Sequence, residues 1–185
     1  MRSINLYADE IGKVELVESM GSDLTIVNSA RVSFGKHKEK IDDKDKRLIR
    51  YLAKHKHTST FEHNVITFRF VVPLFVRSQH HRHRTWSYNE ISRRYTDVNI
   101  QFYEPKAFRT QHESNRQASN EGELINPEVP FRHPEMTLPV TQDASTLVQR
   151  HNQASLELFD NLLESGVCRE QARGVLPQNM YTEYY

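Results

Sequence analysis

The sequence predicts an α+β fold, a mainly antiparallel or mixed sheet packed by helices. β-branched and aromatic or alternating runs occur at residues 3–7, 13–18 and 66–72. Apolar residues at helical spacing occupy longer stretches elsewhere, most clearly at residues 145–164. The two kinds of segment do not alternate regularly enough for a doubly wound sheet. At 185 residues with 37% hydrophobic content the chain can bury one sizeable core, so a single domain over residues 1–185 is expected.

In chain order, residues 3–7 and 13–18 read as a strand pair joined by a turn at Asp9-Glu10-Ile11-Gly12. Gly21-Ser22-Asp23 offers a helix cap, and Leu24, Val27 and Arg31 share one stripe of a helix ending near Gly35. The charged residues 36–46 include Asp42 as a second cap. Leu48, Ile49 and Leu52 then form the apolar face of the next helix. After the strand at 66–72, Pro73 suits the first position of a helix on which Phe75, Gln79 and Arg82 share a face, with Gln79 and Arg82 pointing the same way. Past Arg84 helical periodicity stops, and Ser and Asn in residues 85–89 favour a turn that brings Glu90, Ser92 and Arg94 back.

Residues 99–103 read as another strand, closed by Glu104-Pro105. Residues 109–143 are polar, with prolines at 127, 130, 134 and 139 and no helical or strand period, and are read as a loop insertion. In the helix at 145–164, Val148, Leu156, Phe159, Leu162 and Leu163 build the apolar stripe and Gly166 supplies the stop. No apolar run approaches a membrane span, and the N-terminal residues lack the apolar core of a signal peptide. A single cysteine rules out an internal disulfide and fits a reducing compartment, so a cytoplasmic location is expected.

The chain's net charge is only +1, yet residues 77–95 carry five arginines (Arg77, Arg82, Arg84, Arg93, Arg94) against one acid, Glu90. Arginine's planar fork of donors suits phosphate and imide edges, and Ser, Asn and Gln beside it add further hydrogen bonds. A nucleotide pocket needs that mixture, with a carboxylate to orient one cation. The competing reading is a nucleic-acid-binding module, in which Trp86, Tyr88 and Tyr95 stack bases between the cations. The low overall charge, the lack of a second basic stripe and the position of Glu90 weigh against it.

His55, His57 and His63 with Glu62 invite a metal site, but no ligand spacing such as HExxH is present, and solvated loop histidines are the alternative. Cys168 beside Arg169 has the look of an activated thiol; nothing else near it resembles a nucleophile site, so it is read as a packing residue. Ser92 has no base poised to activate it, which favours hydrogen bonding over nucleophilic attack.

Arg82-His83-Arg84, seven residues and then Ser92 resembles the RHR-x7-S motif of the flavin-dependent thymidylate synthases, and Ser87-Tyr88-Asn89-Glu90 within it matches as well. His57-Thr58-Ser59-Thr60-Phe61-Glu62-His63 looks like the family's segment before the strand. Ala172-Arg173-Gly174-Val175-Leu176-Pro177 looks like its late helix. The resemblance runs from about residue 14 to residue 185.

It implies thymidylate synthesis: reductive methylation of dUMP to dTMP, with methylenetetrahydrofolate as carbon donor and FAD reduced by NADPH, the hydride passing from reduced flavin to the pyrimidine. By the same resemblance Gln79, Arg82, Glu90, Ser92, Arg93, Arg94 and Arg173 surround dUMP. Ser59, Glu62, Arg82, His83, Arg84 and Glu90 meet the flavin, and His57 lies near folate or NADPH. Arg82, Glu90 and Ser92 carry the catalytic roles. The family assembles as homotetramers with sites shared between subunits, without nucleic acid or membrane. Its members continue past the position of Tyr185 with further contacts, so the chain is expected to be incomplete at that end.

The chemistry suits these residues. Hydride delivery to C6 of uracil leaves negative charge on the O4 side that needs donors. The N1 and O2 region of a flavin becomes negative on reduction, and an adjacent arginine or histidine stabilises it.

Overall fold

Asp9 sets the first turn, its Oδ1 accepting from the backbone N–H of Ile11 at 3.0 Å and of Gly12 at 3.4 Å. This turn joins β1 (Arg2–Asn5) to β2 (Lys13–Met20), which pair antiparallel with Ile4 opposite Val14. The structure, a computed structural model, describes residues 2–131 and 140–185, without the side chain of Glu121. It divides into two compact units, the first of residues 2–6, 13–70 and 185, the second of residues 7–12 and 71–184. β3 (Val65–Pro73) carries the chain from one into the other. The strand order is β1, β2, β3 and then β8 (Tyr181–Tyr184). Helices and antiparallel ladders together give the expected α+β class.

In the first unit α1 (Asp23–Arg31) starts where Gly21-Ser22-Asp23 predicted a cap, with a Ser22–Thr25 capping box, and a 3-10 turn carries it on to Gly35. α2 (Asp43–Lys54) is capped by Asp42, whose Oδ1 accepts from the N–H of Lys44 at 2.8 Å and of Asp45 at 3.0 Å. Ile26 and Val27 of α1 and Leu52 of α2 are buried. Asp45 is buried as well, and its charge is compensated by Arg31 at 2.5 Å and by the Lys38 ammonium. Asn28 grips the backbone of Lys38 from both sides, donating to its carbonyl and accepting from its N–H, each at 2.9 Å.

In the second unit α4 (Ala144–Glu164) is capped by Asp143, whose carboxylate accepts from Thr146 N at 3.0 Å. Phe159 of α4 packs on Ala172 of α5 (Arg169–Ala172) and on Leu176 and Met180, with Leu156, Leu162 and Leu163 around them. Gly166 takes a φ of 86°, which makes it the helix stop the sequence suggested.

Several local expectations are corrected. Pro73 is the residue before α3 (Leu74–His80), in extended conformation, and not its first helical position. That helix stops at His80, so Arg82 lies on the turn beyond it and cannot share a helical face with Gln79. Residues 99–103 form no strand: Asn99 takes a left-handed φ of 52°, and only Phe102 is bridged, to Met180. Residues 109–143 contain paired strands, β4 (Phe108–Gln111) with β5 (Ser119–Ile125) and β6 (Glu128–Phe131) with β7 (Val140–Asp143), both antiparallel. Two-stranded ribbons have little face to bury, so their sequence need not alternate apolar with polar. Pro134 and Pro139 of the expected insertion lie outside the described residues. Cys168 is exposed at the start of α5, which removes its assignment as a packing residue.

The Asp45 carboxyl is held well below its ordinary value of 3.8, first by the hydrogen bond from Lys38, with burial opposing. A group whose pKa falls on folding contributes stability that is complete above its unfolded-state value and lost as pH drops below it. Urea midpoints for the wild type should therefore fall between about pH 5 and about pH 2, and Asp45→Asn should flatten that part of the profile. Parallel profiles for the two proteins would assign the acid sensitivity elsewhere.

Candidate functional site

The basic stretch is folded back on itself by hydrogen bonds that its composition does not reveal. The Tyr88 hydroxyl donates to the His80 carbonyl at 2.9 Å and the His83 carbonyl at 3.0 Å, closing the end of α3. Two residues later Glu90 forms a bridge with Tyr184, and Ile91 N donates to Glu183 O at 2.9 Å. Beyond it a tight turn begins at Ser92, whose carbonyl accepts from Tyr95 N at 2.9 Å and Thr96 N at 3.2 Å. Arg93, only 7% exposed, points back into this loop and donates to the Val98 carbonyl at 2.7 Å and the Asn99 carbonyl at 3.5 Å.

Glu90 is the centre of the arrangement. Its Oε1 accepts from Arg77 Nε at 2.9 Å and from the Thr182 hydroxyl at 2.6 Å. Arg77, Glu90, Ser92, Arg93, Arg173 and Thr182 converge on a cavity of about 570 Å³ floored by Leu74, Leu176 and Met180. Three guanidinium groups against Glu90 and Glu170 leave the lining cationic, with serine and threonine hydroxyls beside them. Such a lining takes an anionic ligand that also offers hydrogen-bonding edges.

An aromatic and histidine cluster backs this site. The His81 ring lies 4.0 Å from that of Tyr88 and 5.1 Å from that of Tyr184, while His80 Nδ1 and the Tyr184 hydroxyl share a hydrogen bond of 2.8 Å. Burial pushes both histidines below their ordinary value. The neighbouring His83 and His81 add to this for His80, and Arg77 does for His81, against the opposing pull of Glu90. The Tyr184 hydroxyl is pushed up to about 12, first by burial, then by Tyr88 and Glu90.

Of the residues predicted from sequence, Glu90, Ser92, Arg93 and Arg173 come together at the cavity. Gln79, Arg82, His83 and Arg84 are exposed at the end of α3 and on the turn after it, and do not line it. Arg94 turns to Glu170, 3.9 Å away, and to the Tyr95 ring. His57, Ser59 and Glu62 belong to the first unit, exposed around the 3-10 turn Thr58–Thr60. Among the described residues no three His, Cys, Asp or Glu side chains gather as a metal site. Because Arg77 and Arg93 turn inward, the stretch offers no continuous basic face of the kind a nucleic-acid module uses.

Sequence reasoning assigned no role to Arg77 or Thr182. The excess of arginine around Glu90 was the only signal for the first. The second lies 92 residues from its partner, beyond any local pattern.

The chain matches the family described as "Thymidylate synthase complementing protein" over residues 15–185. It is 45% identical over 174 residues to a flavin-dependent thymidylate synthase of Thermus thermophilus, covering 94% of this chain and 58% of that protein. A flavin-dependent thymidylate synthase of Thermosipho melanesiensis is 39% identical over 174 residues, with 94% of this chain and 70% of the relative covered. Among solved structures, the UMP/dUMP methylase PolB of Streptomyces cacaoi, bound with 5-Br dUMP, superposes with a TM-score of 0.69 at 34% identity, over 92% of this chain and 70% of the other. The chain thus spans less than two thirds of the Thermus relative's length.

Trp86, the only tryptophan, meets the His80 ring edge-on at 4.9 Å and reports on the cluster. An imidazolium quenches indole emission, so Trp86 fluorescence should fall on acidification with a midpoint below 6.5, the ordinary histidine value, because the charged form of His80 is disfavoured by burial, His83 and His81. His80→Gln should remove that step; its persistence would assign the titration to another group.

Proposed function

The chain belongs to the flavin-dependent thymidylate synthase family, and we propose that it serves the reductive methylation of dUMP to dTMP, with methylenetetrahydrofolate as carbon donor and FAD reduced by NADPH. The observation that carries this reading is the cationic cavity around Glu90. At this cavity a nucleoside monophosphate presents a dianion for Arg173 and an imide edge for Ser92; the family resemblance would add Gln79 and Arg94, which lie outside its lining here. In this reading Glu90 uses Oε2, which has no partner among the described residues, while Arg77 and Thr182 hold Oε1. Arg93 keeps the loop after Ser92 in shape and leaves that hydroxyl free to donate.

Of the residues assigned to FAD, Arg82, His83 and Arg84 suit an anionic, electron-rich ring. Arg82 and Arg84 pair with no carboxylate among the described residues, in contrast to Arg77 and Arg94, and His83 lies between them. In the second unit these three and Glu90 would meet the flavin; for the first unit the family resemblance assigns Ser59 and Glu62 to the flavin and His57 to the vicinity of folate or NADPH. When bound, the flavin supplies hydride. Arg82 would stand between nucleotide and flavin and hold negative charge on either.

A small subunit that must enclose several large ligands favours a homotetramer with shared sites. No helix among the described residues is long and apolar enough to cross a membrane, and the single free cysteine fits work in the reducing cytoplasm.

The first test is a visible spectrum of the purified chain after adding FAD and removing the excess. Flavin bands that shift on adding dUMP are expected; a chain that binds neither FAD nor dUMP sinks the reading. In turnover assays Arg82→Ala should lower kcat/KM by roughly a hundredfold or more, the loss of a charge-assisted contact of a few kcal/mol. Ser92→Ala should keep measurable turnover, and its complete inactivation with dUMP binding intact would count against the hydrogen-bonding role.

A further inference from the structure

A second cavity in the same unit, of about 980 Å³, is walled by the rings of Tyr7, Phe75, Tyr103 and Phe108, with Arg109 and His151 at its edge. The Tyr7 and Tyr103 ring centroids are 4.7 Å apart at 45°, and Phe75 lies 6.2 Å from Tyr103. Backbone hydrogen bonds from Leu74 N to Met180 O at 2.9 Å and from Phe75 N to Gln178 O at 3.0 Å hold two segments together between the cavities. Leu74, Gln178 and Met180 line the nucleotide cavity and Phe75 and Asn179 line this one, so it is a separate site.

The walls are built for occupancy. Gly12 lies so close to Tyr7 that a Cβ there would come within 2.3 Å of the ring's Cδ2 and 2.7 Å of its Cε2, which a real side chain cannot do. The ring is therefore seated against bare backbone. The Tyr181 hydroxyl donates to Asp9 Oδ2 at 2.5 Å and fixes the turn that carries it. At the floor, buried Asn152 donates to Glu104 at 2.9 Å and accepts from Asn179 at 3.0 Å.

Several polar groups remain for a ligand, among them the Tyr7 and Tyr103 hydroxyls, Ser119, Arg109 and His151. The half-buried Tyr7 hydroxyl has no hydrogen bond among the described residues, and Arg109 pairs with no carboxylate among them. Burial first, then Tyr103 and Asp9, raise the Tyr7 hydroxyl, with Arg109 opposing, so it stays a neutral donor at physiological pH. None of the described lining residues is acidic.

We propose that this cavity binds a small planar aromatic molecule carrying an anionic group, its ring stacked among Tyr7, Tyr103 and Phe75 and its charge at Arg109. The volume lies within the roughly 300–1,000 Å³ of small-molecule sites.

The test is calorimetry of the full chain with 2-naphthoate, beside two analogues that each lack one feature: 2-naphthalenemethanol without the charge and cyclohexanecarboxylate without the aromatic plane. The proposal expects saturable naphthoate binding at one per chain and weaker binding of both analogues. It expects a loss of about tenfold or more in Arg109→Met, from a charge-assisted contact, and a comparable loss in Tyr7→Leu. Arg109 is exposed, so its replacement leaves the fold intact. Arg173→Met, which alters only the nucleotide cavity, should leave naphthoate binding unchanged. No binding by the wild type, equal binding of cyclohexanecarboxylate, indifference to Arg109→Met, or a loss in Arg173→Met would each overturn it. The proposal stands apart from the synthase reading, which is tested by dUMP and FAD.

Discussion

The carboxylate of Glu90 ties the two arms of the basic stretch to each other and to a strand 92 residues further along the chain. Arg77 comes from α3, Glu90 from the loop that returns after it, and Thr182 from the last strand. Remove the carboxylate and the guanidinium and hydroxyl lose a shared acceptor in a partly desolvated place, where unpaired polar groups are most costly. The loop is then tied to the end of α3 by the Tyr88 hydroxyl, and to β8 by the bridge to Tyr184 and the Ile91–Glu183 hydrogen bond. A charge of one sign at the centre also explains how so many arginines fit in one stretch, since Glu90 offsets the repulsion where they crowd.

The arginines divide into two physical classes. Arg77 and Arg93 spend their donors inside the protein, one on Glu90 and the other on the Val98 and Asn99 carbonyls, and they shape the cavity. Arg82, Arg84 and Arg173 make no ion pair among the described residues, and Arg173 donates its Nε to the Glu170 carbonyl at 3.4 Å. Burial assigns these tasks: Arg93 is 7% exposed and its charge is disfavoured there, which two carbonyls mitigate.

What was legible in the sequence was local. Ser22, Asp42 and Gly166 act within a few residues of themselves, so α1, α2 and the end of α4 were read correctly. The end of α3 was not, because basic residues continue its spacing past His80 while the groups that stop it come from elsewhere. Tyr88 takes the carbonyls of His80 and His83, and Tyr184 takes His80 itself. The ribbons within 109–143 were missed for another reason. Pro130, a strand breaker in a sheet interior, is paired with Thr141 in a two-stranded ribbon, where a missing N–H is harmless. At the site, the motif gave Glu90 and Ser92, but their neighbours Arg77 and Thr182 follow only from the fold.

The two cavities of the second unit share a partition, and its chemistry bears on whether they communicate. The residues between them are held by backbone hydrogen bonds and by a buried amide pair, Asn179 donating both to Asn152 and to the Tyr103 carbonyl at 3.0 Å. Asn152 is 1% exposed and donates in turn to Glu104. A buried polar network with its partners in place resists small displacements, because any shift leaves an amide unsatisfied. Structural coupling between sites runs through an element with two arrangements of similar free energy. The amides of this partition have their partners in place, so the physical expectation is that ligands on its two sides bind independently.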